Sequence, residues 1–159
     1  AESEPALRAQ ALRTLAALDP EGAIDHLEPL LSAPDEPVRR EAFVGLLRHG
    51  GIEGILCAGE PLLAAIRSPD AEQRRFAAGV LEGTHSPGFA RALTALLADP
   101  EASVRSAAVR AVGVAQTPSM WPRTVGLLAD RVDDVRRTAG PKALANGVGL
   151  SRRGRRQAA

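Results

Sequence analysis

Small and aliphatic residues recur at helical spacing along this 159-residue chain, and one short pattern of them returns five times. The pattern is an aliphatic residue, then an arginine and, three places after the arginine, an alanine. Its copies start 31, 35, 31 and 31 positions apart, and only the third starts with a polar residue. The first residues are Leu7, Val38, Gln73, Val104 and Val135. A sequence period of about 20–50 residues predicts a repeat protein.

A second pattern keeps phase with the first, because an aliphatic residue lies seven positions before the last four copies: Leu31, Ile66, Leu97 and Leu128. Leucines around these positions follow i, i+3, i+4 spacing, which gives a helix one apolar face. Each repeat therefore predicts a first helix, a turn rich in proline and aspartate, and a second helix. The predicted first helices cover 21–32, 52–67, 87–98 and 118–129. The predicted second helices cover 5–18, 36–48, 71–82, 101–114 and 132–145.

The third repeat is four residues longer than the others, and the extra residues fall within 49–59. We expect them to lengthen either the first helix or the loop before it. Insertions in repeat proteins often carry function, but a surface loop also tolerates an insertion at little cost. Both interpretations stay open at this point.

The composition favours an all-α protein and excludes several other classes. Apolar residues make up 45% of the chain and aromatic residues only 3%, which suits closely packed helices better than a β-sandwich. The single cysteine, Cys57, excludes an internal disulfide, and no apolar run approaches the roughly 20 residues of a membrane span. We therefore expect a cytoplasmic location, or the cytosolic part of a membrane protein.

The basic residues are unevenly distributed along the chain. The formal net charge is +1, yet the last residues alone contain Arg152, Arg153, Arg155 and Arg156. The rest of the chain is therefore net acidic, which argues against attraction of the whole domain to nucleic acid. The predicted organisation is one repeat domain at 1–146, followed by a basic tail or linker at 147–159.

With these motifs in view, the chain resembles HEAT repeats, and in particular the short bacterial variety also called PBS-lyase HEAT-like repeats. The resemblance covers about residues 2–146. It implies antiparallel helix pairs that stack into a right-handed α-solenoid, with the second helices on the concave side. The first repeat shows only its second helix, as a segment of a longer array would. Residues 50–70 are also similar to the HEAT segment of some large bacterial membrane proteins with a transporter-like region.

The resemblance also implies a structural role for the arginine of each pattern. In HEAT arrays this arginine pairs with an aspartate in the turn of its own or a neighbouring repeat. Such pairs would form a ladder between repeats, with each exposed pair contributing about 0.2–1 kcal/mol. The arginines here are Arg8, Arg39, Arg74, Arg105 and Arg136. The turn aspartates are Asp35, Asp70, Asp99 and Asp130, with Asp133 as an alternative to the last.

A second set of arginines is the candidate binding surface. Positions two and six after the start of the pattern are expected to point away from the core, and every repeat has one arginine there. Arginines suit an acidic or phosphorylated partner, because the guanidinium group binds carboxylate and phosphate in a bidentate manner. The alternative is an ordinary solvated helix face. The candidates on the expected concave side are Arg13, Arg40, Arg75, Arg110 and Arg137, with Arg48 near the edge.

The sequence thus predicts a protein-interaction or scaffolding module, a segment of a larger bacterial protein, that binds another protein or another domain of its own chain. A regulatory segment of a nucleotide-translocase-like membrane protein and a nucleic-acid-binding HEAT-like domain are the alternatives. The latter has few aromatic side chains to stack on bases. No catalytic residue, metal, cofactor or small-molecule substrate is predicted, because His26, His49 and His85 lie in different repeats without metal-ligand spacing.

Overall fold

The computed structural model describes residues 4–84, 87–115 and 120–141, and every regular element within these ranges is helical. The second helices of the repeats are α1 (Glu4–Leu18), α3 (Glu36–His49), α5 (Ala71–Thr84), α7 (Ala102–Ala115) and α9 (133–141). The first helices are α2 (Ala23–Leu27), α4 (Gly51–Ile66), α6 (Ala90–Leu97) and α8 (Trp121–Gly126). The all-α fold and its alternation of first and second helices are thereby confirmed.

Three of the first helices include a turn of 3-10 helix, which gives them a short and tight form. Glu28–Ser32 continues α2, Pro87–Phe89 precedes α6, and Leu127–Ala129 follows α8. The chain forms two compact units, Ala1–Thr84 and His85–Ala159. The predicted tail at 147–159 lies outside the described residues. No helix in the described ranges is long and apolar enough to cross a membrane.

In the N-terminal unit, α3 is the central element, because α1 and α5 pack on it as neighbouring second helices and α2 and α4 as first helices. Its inward side chains Ala42 and Leu46 are fully buried, as is Leu27 of α2. The rings of Phe43 and Phe76 meet edge to face between α3 and α5, with centroids 5.6 Å apart. Burial of these apolar surfaces provides the main driving force for this packing, at about 25 cal/mol per Å².

The four extra residues of the third repeat lengthen its first helix. The 16-residue helix α4 compares with eight residues in α6. Gly51 has a φ of +59°, a left-handed conformation that lets the chain reverse directly after α3. A Cβ at Gly54 would lie 2.4 Å from the carbonyl oxygen of Leu46, so α4 crosses the end of α3 at backbone contact. The insertion is therefore an ordered part of the fold.

The C-terminal unit repeats this arrangement with smaller side chains. Leu93 and Leu96 of α6 are buried, and α6 packs against α7 and α8. The inward residues of α7, among them Val104 and Val109, are fully buried, and so is Val135 of α9. The valines that start the pattern therefore belong to the cores, and so does Leu97, seven positions before Val104. Leu128, at the matching place before Val135, is instead 42% exposed.

Candidate functional site

The arginine of each pattern closes the turn between the two helices of its own repeat. In four repeats its Nη1 donates to one or both of the backbone carbonyls five and six residues earlier, for example from Arg74 to Ser68 and Pro69, at 2.9 Å each. These carbonyls belong to the turn that follows the first helix. The other acceptors are Ala33 and Pro34 for Arg39, Asp99 and Pro100 for Arg105, and Asp130 for Arg136.

The pattern arginine of the fourth repeat also bonds to the turn of the following repeat. Nε and Nη2 of Arg105 donate to the two carboxylate oxygens of Asp130 at 2.8 and 2.9 Å, and both side chains are buried. The hydrogen bond from Arg105, and then one from the backbone N–H of Val132, lower the pKa of Asp130. The pKa of Arg105 is raised, first by the same bond. This pair joins the fourth and fifth repeats in the manner that the expected ladder requires.

The turns of the second and third repeats lack the carboxylate that this pairing needs. Asp130 lies five positions before Val135, and its counterparts in the second and third repeats are Ala33 and Ser68, which have no carboxylate. Arg39 instead places its guanidinium 4.8 Å from the centre of the Phe76 ring. That contact is a cation–π interaction between neighbouring second helices.

The turn aspartates accept hydrogen bonds at or just before the start of the second helices. Oδ1 of Asp70, Asp99 and Asp130 each accepts a hydrogen bond from the backbone N–H two residues later, at 2.9–3.0 Å. That N–H lies within α5 for Asp70, but in the turn before the helix for the other two. Asp35 is the N-cap residue of α3 but makes no side-chain cap bond. An acidic side chain at this position also interacts favourably with the positive end of the helix dipole.

Two arginines of the candidate binding surface form ion pairs between second helices. Arg13 of α1 donates to both carboxylate oxygens of Glu41 on α3, at 3.0 and 2.8 Å. Arg75 of α5 bonds to Glu36 of α3 at 3.2 Å and to Glu72 of its own helix at 2.8 Å. The pKa of both arginines is raised, first by the hydrogen bond to Glu41 and to Glu72, respectively.

The sequence predicted that residues two positions after the start of each pattern point away from the core, but two of them do not. Ala9 and Ser106 are buried there, and Oγ of Ser106 lies 2.9 Å from Oγ1 of Thr138 on α9. The side chain of Arg40 lies over Gly79 of α5, where a Cβ would be 3.5 Å from its Cδ and Nη1. The expectation fails because second helices pack side by side and cover this face.

The remaining candidate arginines differ in exposure. Arg40 is half-buried and Arg48 is exposed, and neither forms an ion pair with the part of the chain that the structure describes. Arg110 and Arg137 are exposed on the C-terminal unit, with Arg137 3.7 Å from Asp134. Arg40 and Arg48 are therefore the candidates in the N-terminal unit that could meet an acidic group.

Helix α4 carries an exposed apolar surface that the sequence patterns did not predict. Ile52 is 81% exposed and Leu56 71%, and Leu63 is exposed on the same side. Between them, a Cβ at Gly59 would meet nothing within 4 Å. We name this surface the α4 seam (Ile52, Leu56, Gly59 and Leu63). Its residues are 4, 3 and 4 positions apart, and this helical spacing is the sequence signal that could have revealed the surface.

A groove of about 650 Å³ lies beside α1 in the N-terminal unit. Ala11, Leu12 and Leu15 of α1 form one wall, and Leu30 and Val38 belong to the other, which the second repeat provides. Arg8 also lines the groove. We name it the α1 groove. It has the apolar lining and the size of a binding site.

The described side chains offer little for catalysis. Within 4–84, 87–115 and 120–141, no group of three or more His, Cys, Asp or Glu residues could hold a metal ion. Partial burial and the carboxylates of Glu28 and Glu53 raise the pKa of the Cys57 thiol. A raised pKa keeps the thiol protonated, and the protonated form is a poor nucleophile.

A protein-family model described as HEAT repeats matches residues 59–145, which is more than half of the chain. The chain belongs to the HEAT-repeat family. HEAT repeats are commonly protein-interaction scaffolds. A search of curated proteins finds no match.

The buried ion pair between repeats should be important for the stability of this HEAT protein. We expect Asp130→Ala to lower the free energy of unfolding by about 3 kcal/mol at pH 7, because it leaves the guanidinium of Arg105 buried without its carboxylate. Asp133→Ala is the control, because Asp133 is 77% exposed in its pair with Arg136. This control should cost less than about 0.5 kcal/mol in urea unfolding.

The pH dependence of the stability difference between wild type and Asp130→Ala tests whether the difference is electrostatic. The pKa of Asp130 is lowered from 3.8 in the folded chain, so its carboxylate contributes full stability above that value. The contribution is lost as the pH falls through the lowered pKa. The gap between wild type and Asp130→Ala should therefore be constant above about pH 5 and shrink in more acidic solution. A gap that is unchanged at low pH would contradict an electrostatic origin.

Proposed function

We propose that this chain is a protein-interaction module that forms a dimeric scaffold, in which the α4 seam pairs with the same seam of a second copy. The observation that supports the proposal is the exposure of large aliphatic side chains on the lengthened helix α4. Most exposed apolar residues in a soluble protein are scattered, whereas a contiguous patch marks an interaction site. In a family of interaction scaffolds, such a patch is best explained as a docking surface.

The spacing of the α4 seam is that of helix–helix pairing. Its residues alternate at spacings of four and three positions, as the contact residues of a coiled coil do: Ile52, Leu56, Gly59 and Leu63. The opposite face of α4 is already occupied, because Gly54, Ala58 and Leu62 are buried against the rest of the N-terminal unit. A partner helix would therefore lie along the outer side of α4.

Apolar residues of α4 lie on both sides of Gly59 and could pair with one another in an antiparallel arrangement, which favours a second copy as the partner. In an antiparallel pair centred on that residue, Ile52 lies opposite Ile66 of the other copy, and Ile55 lies opposite Leu63. The two Gly59 residues meet at the crossing point, where the missing side chains allow a close approach. A two-fold interface requires a surface that is complementary to itself in this way.

Charges at the edge of the seam agree with the antiparallel arrangement. Glu53 and Arg67 lie two helical turns before and after Glu60 on the same side of α4. Neither Glu53 nor Arg67 forms an ion pair within the described part of its own chain. The antiparallel pairing brings Glu53 of one copy close to Arg67 of the other, twice per dimer. The two Glu60 residues near the centre oppose this attraction in part.

Sedimentation equilibrium of the full chain tests the proposal. We expect wild type to form a dimer at micromolar concentration, and Leu56→Glu to be monomeric, because the pairing would bury an unpaired carboxylate. Gly59→Leu should weaken the dimer at least tenfold without unfolding the monomer. Leu18→Glu, at a residue that is 79% exposed on α1, is the control and should leave the dimer intact. A wild-type chain that is monomeric at 100 times the expected concentration would overturn the proposal.

A charge exchange tests the antiparallel geometry. Glu53→Arg should weaken the dimer, because it places two arginines close together at each end. Adding Arg67→Glu to that variant should restore most of the affinity, since it recreates an opposite pair. If the double variant is weaker than either single variant, the two residues do not meet in an antiparallel dimer.

Binding of an acidic partner by the arginines of α3 is a second candidate function. It is supported by Arg40 and Arg48, which form no ion pair with the described part of the chain. The guanidinium groups of Arg13 and Arg75 are not available to such a partner, because glutamates of α3 already bind them. A surface with two available guanidinium groups suits a carboxylate-rich or phosphorylated segment.

Fluorescence anisotropy with a labelled decaglutamate peptide tests this second function at low salt. Arg40→Glu with Arg48→Glu should weaken binding about tenfold, by removing two attractive charges and adding two repulsive ones. Arg91→Glu with Arg123→Glu makes the same change at two exposed arginines of the C-terminal unit and should have little effect. Equal losses in both variants would contradict a specific site. Tighter, steeply salt-dependent binding to a DNA duplex would favour the nucleic-acid alternative instead.

A further inference from the structure

We propose that Arg40 and Arg48 of α3 together bind an extended peptide segment that carries anionic groups four residues apart. The inference rests on the second function proposed above and deepens it, because it specifies the form of the acidic partner. It follows from the distance between the two arginines along α3 and from the glycines of α5 that lie against this helix.

Arg40 and Arg48 are eight residues apart on one helix. Since an α-helix rises about 1.5 Å per residue and makes a turn in about 3.6 residues, their Cα atoms are about 12 Å apart along the axis and about 80° apart around it. Both side chains therefore start from the same side of α3. Neither forms an ion pair with the described part of the chain. Two guanidinium groups at a fixed distance favour a ligand with two anionic groups.

The surface beside these arginines is smooth where α5 packs against α3. Gly79 and Gly83 lie one helical turn apart on α5, and both are partly exposed. A Cβ at Gly79 would lie 3.5 Å from Cδ and Nη1 of Arg40. A Cβ at Gly83 would lie 2.6 Å from Cγ2 of Val44, which is itself buried. Because neither glycine has a side chain, the backbone of a ligand can approach this surface closely.

Glutamates near the two arginines are already neutralised. Arg13 of α1 binds Glu41, and Arg75 of α5 binds both Glu36 and Glu72. These ion pairs offset carboxylates that would otherwise repel an anionic segment on this side of α3. The anionic groups of a ligand are therefore directed to the arginines that have no ion-pair partner in the described chain.

An extended chain matches the distance between the two arginines. A β-strand rises about 3.3 Å per residue and its side chains alternate, so residues i and i+4 lie on one side and about 13 Å apart. Residues i and i+3 lie on opposite sides of such a chain and cannot reach both arginines together. Carboxylate and phosphate groups both accept the paired hydrogen bonds of a guanidinium group, so either can provide the two anionic groups.

Peptides of equal charge and different spacing test this inference with the full chain. Fluorescence anisotropy at low salt compares labelled peptides of alanine, serine and glycine that contain two phosphoserines, either at i and i+4 or at i and i+3. We expect the i, i+4 peptide to bind about tenfold more tightly, because it engages both arginines at once. Glutamate in place of phosphoserine should keep this preference at lower affinity, because a carboxylate carries less charge.

Variants of α3 and α5 assign the preference to the proposed site. Arg40→Gln and Arg48→Gln should each reduce the affinity of the i, i+4 peptide to that of its isomer, whereas Arg91→Gln in the C-terminal unit should not. Gly79→Leu should also remove the preference, because the new side chain would displace Arg40. Gly79→Ala should keep it, since a Cβ at 3.5 Å makes an ordinary contact. Circular dichroism checks that each variant is folded.

The outcomes separate this inference from the function on which it rests. If decaglutamate binding depends on Arg40 and Arg48 but the two isomers bind equally, the extended form is wrong and the acidic partner stands. Tighter binding of a peptide with its phosphoserines at i and i+7 would indicate a helical ligand and would also overturn the extended form. If decaglutamate binding does not depend on these arginines, the second function itself fails.

Discussion

The hydrogen bonds between the pattern arginine and the turn after the first helix are the interaction on which each helix pair depends. The guanidinium group of the second helix binds carbonyls of that turn, as in Arg74 with Ser68 and Pro69. The arginine therefore fixes how the second helix leaves the turn. The aliphatic residue before it and the alanine after it then face the first helix, where they are buried in every complete repeat with an aliphatic start.

The same geometry determines which charges are available to partners. Second helices lie side by side in the N-terminal unit, so arginines that would be solvated on a single helix bond to glutamates of the next, as Arg13 does to Glu41. The pattern arginine is occupied by its own turn. Beside Arg40 and Arg48, the surface available for recognition includes apolar side chains, and on α4 these lie where the repeat departs from its regular length. Irregularity in the array therefore indicates this candidate binding surface.

The sequence predicted the helices well, because period and phase are visible in one chain: α3 was predicted at 36–48 and is found at Glu36–His49. It predicted side-chain partners less well. Spacing shows that Arg40 lies on one side of its helix, but not that α5 covers that side at Gly79. It could place four extra residues near Gly51 without deciding between helix and loop, since this depends on the backbone contact of Gly54 with Leu46. The α1 groove depends on how α1 packs against the second repeat and has no local signal.

The role of the pattern arginine can be measured directly by comparing Arg39→Met with Arg8→Met in urea unfolding. Arg39 bonds to the carbonyls of Ala33 and Pro34, while Arg8 occupies the same place in the pattern without a turn carbonyl as a partner in the described chain. We expect Arg39→Met to lower the free energy of unfolding by about 2 kcal/mol, and Arg8→Met to lower it by less than about 0.5 kcal/mol. Equal losses would show that the turn bond does not hold the helix pair together.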